Sequence, residues 1–153
     1  MEKDNTILVL NNTSSPSRVI DFIKVGATMG YERFALTKIY GAAAQSGVPE
    51  AFKYSYKNGL SLLVFQSLED FVETVAPDKL LLFAGSGRNL GDIEVSKGDR
   101  LALVFDGSEA GFDPLEKKLG EPVYITDIPG RLPVIAEVSL SLYILGKMMG
   151  ADS

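Results

Sequence analysis

The chain has 153 residues, of which 46% are apolar and 23% are charged, and this balance is typical of one globular domain with a hydrophobic core. It contains no cysteine and no histidine, which excludes disulfides, Cys/His zinc sites, thiol nucleophiles and Ser-His-Asp triads. The net charge of −5 argues against a strong, autonomous nucleic-acid binder, although residues 1–60 carry +2 and residues 61–153 carry −7.

The chain shows no targeting or membrane segment. Residues 1–5 are polar and charged, unlike a signal peptide. The most apolar stretch, residues 132–149, is short and is interrupted by Pro133, Glu137 and Lys147. We therefore expect a cytoplasmic protein without a membrane partner, and the sequence offers no metal-ligand motif.

Strand-like and helix-like segments alternate along the chain. The predicted strands are residues 6–10, 34–39, 60–65, 79–84, 101–105 and 123–126. The predicted helices are residues 16–29, 49–58, 68–75, a short segment after Gly111, and 134–149. This alternation predicts an α/β fold, with a mostly parallel six-stranded sheet, helices on both faces and a single domain over residues 1–153.

Two glycine-bearing loops follow the last two strands. They are Asp106–Gly111 and Asp127–Pro133, and each leads into a helix. Ligands of open α/β sheets lie outside the carboxyl ends of the strands, where such loops gather. These loops are the first predicted ligand site, although each is also consistent with a plain turn.

The loop Gly85–Gly91 carries three glycines after a strand. A dinucleotide fingerprint requires a helix directly after the glycines. Here only about ten residues separate Gly91 from the next strand, without helical periodicity, and the glycine spacing is one residue too long. A flexible connection or a ligand-lining loop of another kind fits the pattern better.

The C-terminal helix is apolar nearly all round. Val134, Val138, Leu142, Leu145 and Met149 form one stripe. Other apolar side chains fall outside that stripe: Leu140, Tyr143, Ile144 and Met148. Since a surface helix of a monomer has a polar face, the excess predicts a homodimer through this helix, with burial inside one subunit as the alternative.

Three segments together resemble the SPOUT superfamily, in its SpoU-like branch of RNA methyltransferases. Ser15-Pro16, Lys24 and Met29-Gly30 are similar to its first motif, and residues 103–111 are similar to its second, an apolar strand followed by Gly-(Ser/Asn)-Glu-Gly-x-Gly. Residues 125–143 are similar to the third, a loop entering an apolar helix. The resemblance covers almost the whole chain.

The resemblance implies a C-terminal trefoil knot and a homodimer. It also implies ribose 2′-O methylation of tRNA or rRNA, with or without the help of another protein. The cofactor would be S-adenosylmethionine. The implied catalytic residues are Arg18, Lys24 and Glu109. The implied cofactor-binding residues are Ala84, Gly85, Ser86, Gly87, Phe105, Asp106, Gly107, Ile125, Ile128, Gly130 and Leu132.

Four positions depart from the family pattern. Pro133 and Ile135 stand where the third motif has Asn and Ser, Lys24 stands for an arginine, and Arg18 stands for an asparagine. A non-catalytic protein that keeps the fold for binding or scaffolding is therefore an alternative hypothesis. An unrelated doubly wound nucleotide-handling enzyme is a third.

Overall fold

The computed structural model describes residues 2–152, with side chains described up to Met149. Its strands are β1 (Thr6–Thr13), β2 (Arg33–Ile39), β3 (Ser61–Phe65), β4 (Lys79–Asn89), β5 (Leu101–Asp106) and β6 (Glu121–Tyr124). Its α-helices are α1 (Pro16–Thr28), α2 (Val48–Lys57), α3 (Leu68–Val75), α4 (Pro114–Lys117) and α5 (Val134–Asp152). The extent of the single domain stays a prediction, because Met1 and Ser153 lie outside the described residues.

The strands form one six-stranded sheet in the order β3-β2-β1-β5-β4-β6. Every recorded strand pair is parallel, so the predicted α/β class with a parallel sheet is confirmed. β1 lies in the interior and pairs with β5 from Thr6↔Leu101 to Asn11↔Asp106. The carboxyl ends of β1, β2, β4 and β5 therefore meet at one edge of the sheet.

Helices cover both faces of the sheet, as predicted. The larger apolar cluster packs α1, α2 and α5 on one face, and its centre includes Phe22, Phe34 and Phe105. The smaller cluster packs α3 on the other face through Leu68 and Phe71. Among the described residues, no helix is both long and apolar enough to cross a membrane.

Local sequence signals set the ends of the first helices. Ser15 caps α1, since its Oγ accepts a hydrogen bond from the Arg18 N–H at 3.2 Å. Gly30 follows the helix at φ +94°, a conformation that glycine adopts without strain. Ser67 caps α3 by accepting from the Asp70 N–H at 3.1 Å.

The predicted loop Gly85–Gly91 is mostly strand, which corrects the sequence analysis. β4 continues to Asn89, and an irregularity between Phe83 and Arg88 lets both residues face Val123 of β6. A bulge of this kind keeps the strand paired while it bends. The glycines conceal the strand because they lack the β-branched side chains that predict one.

Candidate functional site

Asp106 organises the loop after β5. Its side chain is fully buried and accepts hydrogen bonds from the Ser108 N–H, the Ser108 hydroxyl and the Gly111 N–H, each at 3.0 Å. Buried carboxylates are costly unless their oxygens are paired. Asp106 is therefore an acidic group held in a fixed position at the edge of the sheet where the carboxyl ends of the strands meet.

Arg131 joins the loop before α5 to the ends of β4 and β5. Its Nη1 donates to the Ala84 carbonyl at 3.1 Å, and its Nη2 donates to Asp106 Oδ2 at 3.3 Å. The same Nη2 lies 3.8 Å from Glu137 Oε1 on the first turn of α5. One guanidinium thus lies between two buried carboxylates.

Glu137 is the incompletely satisfied member of this group. Its side chain is 7% exposed, and Oε1 has no hydrogen-bond partner. Burial raises the pKa of Glu137; the Arg131 charge lowers that pKa, and the Asp106 charge raises it further. A buried acceptor without a donor can receive a hydrogen bond from a ligand.

The raised pKa of Glu137 has a consequence for stability. The folded state holds this proton at pH values where the unfolded state has released it, so stability falls as pH rises from the ordinary glutamate pKa through the raised one. We expect Glu137→Gln to raise the free energy of unfolding at pH 7 relative to wild type, and to lose that advantage at pH 4. Urea unfolding at both pH values measures this. An equal effect at both would contradict the raised pKa.

A small cavity lies beneath Arg131. Its apolar wall is formed by Ile125, Ile128 and Leu132, and Glu137 supplies the acidic group. The cavity volume is only about 20 Å³, enough for one water molecule. Arg131 fills the space against β4, because a Cβ added to Gly85 would lie 2.8 Å from Arg131 Cδ. A larger ligand requires the Arg131 side chain to move.

The structure brings together several of the predicted cofactor residues. Gly85, Ile125, Ile128, Gly130 and Leu132 line this cavity. Asp106 and Ala84 adjoin it through Arg131. The remaining predicted residues, Ser86, Gly87, Phe105 and Gly107, are not among the residues that line it.

These four residues have other surroundings. Phe105 stacks on Phe83 in the core, with ring centroids 4.4 Å apart. Ser86 contributes to a separate cavity of about 200 Å³ beside Lys117. The backbone of Gly87 lies against Pro122, and Gly107 lies against the Asn11 carbonyl, 2.9 Å from an ideal Cβ. Residues 11–13 at the end of β1 leave no room for a side chain at Gly107, so this glycine does not border an open ligand space.

The three predicted catalytic residues do not converge. Arg18 reaches the loop after β5, where Nη1 donates to the Gly107 carbonyl at 2.8 Å. Lys24 is exposed and lies over the Tyr54 ring, 5.6 Å from its centroid. Glu109 is exposed, and its side chain makes no recorded hydrogen bond within the described chain. Glu109 belongs to the loop that carries Asp106, Arg18 contacts that loop, and Lys24 does neither.

A second polar cluster at the same edge was missed by the sequence analysis. Asn11 donates to Glu116 Oε2 at 3.0 Å and accepts from the Thr37 hydroxyl at 2.7 Å. Lys38 Nζ lies 3.6 Å from both Glu116 and Asp113. The backbone hydrogen bond from Glu116 is the largest of the effects that lower the pKa of Asp113. Contacts between residues up to 105 positions apart leave no local signal.

The fold of the chain is that of SpoU methyltransferases. The SpoU methyltransferase AviRb from Streptomyces viridochromogenes matches with a TM-score of 0.77 and 12% identity, over 99% of this chain and 62% of that one. Its complex with the cofactor AdoMet matches with a TM-score of 0.74 and 15% identity, over 95% and 60%. A structure from work on "2-OH methylation of C/U34 on tRNA" matches with a TM-score of 0.74 and 19% identity, over 95% and 91%. Identities this low show the fold alone.

The sequence comparisons identify the family. A family model described as RecB-family nuclease (DUF2122) matches residues 41–144. A proposed type II restriction enzyme of Aeropyrum pernix is 39% identical over 91% of each chain, and another of Methanocaldococcus jannaschii is 28% identical over 92% of this chain and 95% of that one. The chain belongs to the family described as RecB-family nuclease (DUF2122).

These findings overturn the predicted function. The sequence analysis predicts an S-adenosylmethionine-dependent RNA methyltransferase, but the family and both curated relatives are described as nucleases or restriction enzymes. The SPOUT resemblance is right for the fold and does not carry over to the activity, because one fold supports many reactions. Both sets of comparisons support an enzyme.

The described residues do not form the metal centre that many nucleases use. Two-metal phosphodiester cleavage requires several convergent carboxylates or imidazoles. Within residues 2–149, no group of three or more such side chains lies close enough to hold a metal ion. The Asp106–Glu137 pair has Arg131 between its carboxylates, and Glu116 is engaged with Asn11 and Lys38.

Proposed function

We propose that this chain is an enzyme acting on nucleic acid and that it binds S-adenosylmethionine in the cavity beneath Arg131. The observation that carries the cofactor proposal is the buried Glu137 Oε1 in that cavity, which lies 3.8 Å from Arg131 Nη2 and has no hydrogen-bond partner. It is supported by the AviRb complex with AdoMet, which has the same fold. Nucleic acid is the substrate class shared by restriction enzymes and by the tRNA methylation study.

The residues around this cavity suit an adenosyl ligand that carries a positive charge. Ile125, Ile128 and Leu132 offer an apolar surface for a base, and Gly130 leaves open space at the rim. Glu137 and Asp106 offer negative charge to an ammonium or sulfonium group, which could replace the Arg131 guanidinium between them. When bound, the cofactor supplies an electrophilic sulfonium; the chain supplies orientation and charge.

Calorimetry tests the cofactor site. We expect S-adenosylmethionine to bind wild type, and Gly130→Phe to weaken binding at least about tenfold, because the ring would fill the cavity rim. An added Cβ at Gly130 meets no atom within 4 Å, so the fold should tolerate the change. The control is Pro129→Phe, on an exposed neighbour that does not line the cavity. No heat from wild type at millimolar ligand would refute the site.

The reaction is tested by recovering the nucleic acid. Single-stranded RNA, single-stranded DNA and duplex DNA are incubated with the protein, with and without Mg²⁺ and S-adenosylmethionine. Mass spectrometry of each recovered strand registers both cleavage and covalent addition. We expect a changed mass in at least one mixture. Unchanged masses in every mixture would count against an enzyme acting on nucleic acid.

The homodimer stays a proposal, and the exposed side of α5 supports it. Val138 and Leu142 are buried within the subunit, whereas Leu140 and Tyr143 are 40% and 55% exposed. We expect Leu140→Glu with Tyr143→Glu to convert a dimer into a monomer, because charges are costly in an apolar interface. Leu115→Glu, 63% exposed on α4, is the control. Light scattering measures the mass, and a wild-type mass of 16.5 kDa would contradict the dimer.

The trefoil knot also stays a proposal. It is supported by the SpoU-like fold and by the strand order, in which β6 pairs with β4 although β5 lies between them along the chain. An experimental structure that traces residues 79–149 tests it. A trace in which the segment after β6 does not pass through the preceding loops would refute the knot.

A further inference from the structure

The outward face of α2 carries two exposed aromatic rings. Phe52 is 46% exposed and Tyr56 is 89% exposed. They stand four residues apart, so they lie on one side of the helix, about 6 Å apart along its axis. Ala51 and Ser55, about 100° around the helix from the rings, are buried and fix the orientation of the helix, so the rings lie along one flank of its exposed side.

Two lysines run beside these rings. Lys53 and Lys57 are exposed and also stand four residues apart, about 100° around the helix from the aromatic row. Neither lysine forms an ion pair with any residue in the described part of the chain. The four side chains, called here the aromatic–lysine face, lie within residues 1–60, which carry a net charge of +2.

We propose that the aromatic–lysine face docks a single strand of nucleic acid, a proposal that rests on the proposed nucleic-acid substrate. Bases stack on aromatic rings irrespective of sequence, and lysines beside the rings neutralise phosphates. A duplex hides the faces of its bases, so only an unpaired strand can use both rings. A protein partner fits less well, because lysine is depleted at the centres of protein interfaces.

The position of α2 connects this face to the candidate site. The π-helical turn Ala43–Gly47 leads into α2, and the Ala43 N–H donates to the Ser14 carbonyl just beyond β1. Gly47 lies against Pro16, with an ideal Cβ 3.0 Å from Pro16 Cα. The N-terminal end of α2 is thereby held at the carboxyl edge of the sheet. A single strand of nucleic acid bound along α2 would run toward the loops that carry Asp106 and Arg131.

Fluorescence anisotropy with labelled 12-nucleotide RNA and DNA, single-stranded and duplex, tests the proposal. We expect wild type to prefer single strands, and Phe52→Ala with Tyr56→Ala to weaken that binding at least about tenfold. A separate variant that keeps both rings, Phe52→Tyr with Tyr56→Phe, should bind single strands as wild type does. Lys53→Ala with Lys57→Ala should make the slope of log affinity against log salt shallower by about 1.4. The control is Lys117→Ala with Lys118→Ala, on exposed lysines at the end of α4.

The outcomes separate this face from the proposed function. Undiminished binding by the aromatic variant, or equal binding of duplex and single strand, would overturn the docking face while leaving the substrate class intact. Failure of wild type to bind any of the oligonucleotides would overturn both the face and the nucleic-acid substrate. A change of solution mass in the aromatic variant would reassign the face to self-association. Calorimetry with S-adenosylmethionine is unaffected by all of these and reports on the cavity alone.

Discussion

Replacing Arg131 with alanine is expected to lower the free energy of unfolding by about 3 kcal/mol, because it leaves a buried charge without its partner. Asp106 is fully buried, and Arg131 is the cation that contacts it. The change also removes the Arg131 charge, which lowers the pKa of Glu137, and leaves the Asp106 charge, which raises it. The pKa of Glu137 should therefore rise further. Urea unfolding at pH 7 measures the loss.

The matched control is Arg88→Ala. Arg88 Nη1 lies 2.9 Å from Glu121 Oε1, a shorter contact than that of Arg131, but the Arg88 side chain is 56% exposed. Solvent screens such pairs, so the expected loss is below about 1 kcal/mol. Equal losses from the two variants would show that burial does not set the contribution of Arg131.

Gly87→Ala is expected to lower stability by more than about 3 kcal/mol or to prevent folding. An ideal Cβ would lie 2.1 Å from the Pro122 carbonyl oxygen, and Gly87 has φ +108°. The clash would separate β4 from β6 at the irregularity that lets them pair. Chemical unfolding measures the effect where the variant is soluble, and yield of folded protein measures it otherwise.

Gly98→Ala separates strain from collision. Gly98 also has a positive φ, +90°, but its Cβ would meet no atom within 4 Å. The expected loss is therefore only the backbone strain, about 1–2 kcal/mol. If Gly87→Ala cost no more than Gly98→Ala, the close approach of β4 to Pro122 would be refuted.

Sequence patterns predicted the elements of this fold more fully than its site. The caps at Ser15 and Ser67 act through neighbours three residues away, and the apolar strands carry their own periodicity, so both are visible locally. The loop Asp127–Pro133 was singled out because glycine-bearing loops after parallel strands gather at a ligand edge; its Gly130 and Leu132 line the cavity, and their role in binding stays a prediction. Arg131, between them, was not assigned a role, since its partners Ala84 and Asp106 lie 47 and 25 residues away.

The reaction could not be predicted from the fold. Chains that share 12–19% identity with this one adopt the same architecture, whereas a relative that is 39% identical is described as a restriction enzyme. The polar cluster around Glu116 illustrates why: its members come from β1, β2 and α4, and only the folded sheet brings them together. Residue types at such positions have no characteristic spacing in sequence.

The interior position of β1 affects how the protein is made. β1 must pair with β5, and Thr6 meets Leu101, so about 95 residues must be synthesised before that side of the strand is covered. At roughly 5–20 residues per second, the ribosome needs on the order of 5–20 s to deliver them. Once residue 65 has been synthesised, and until β5 follows, β1, β2 and β3 can assemble only a half-sheet whose β1 edge is open to other nascent chains. The speed of translation across residues 66–106 therefore sets the time available for misassembly and for chaperones to bind.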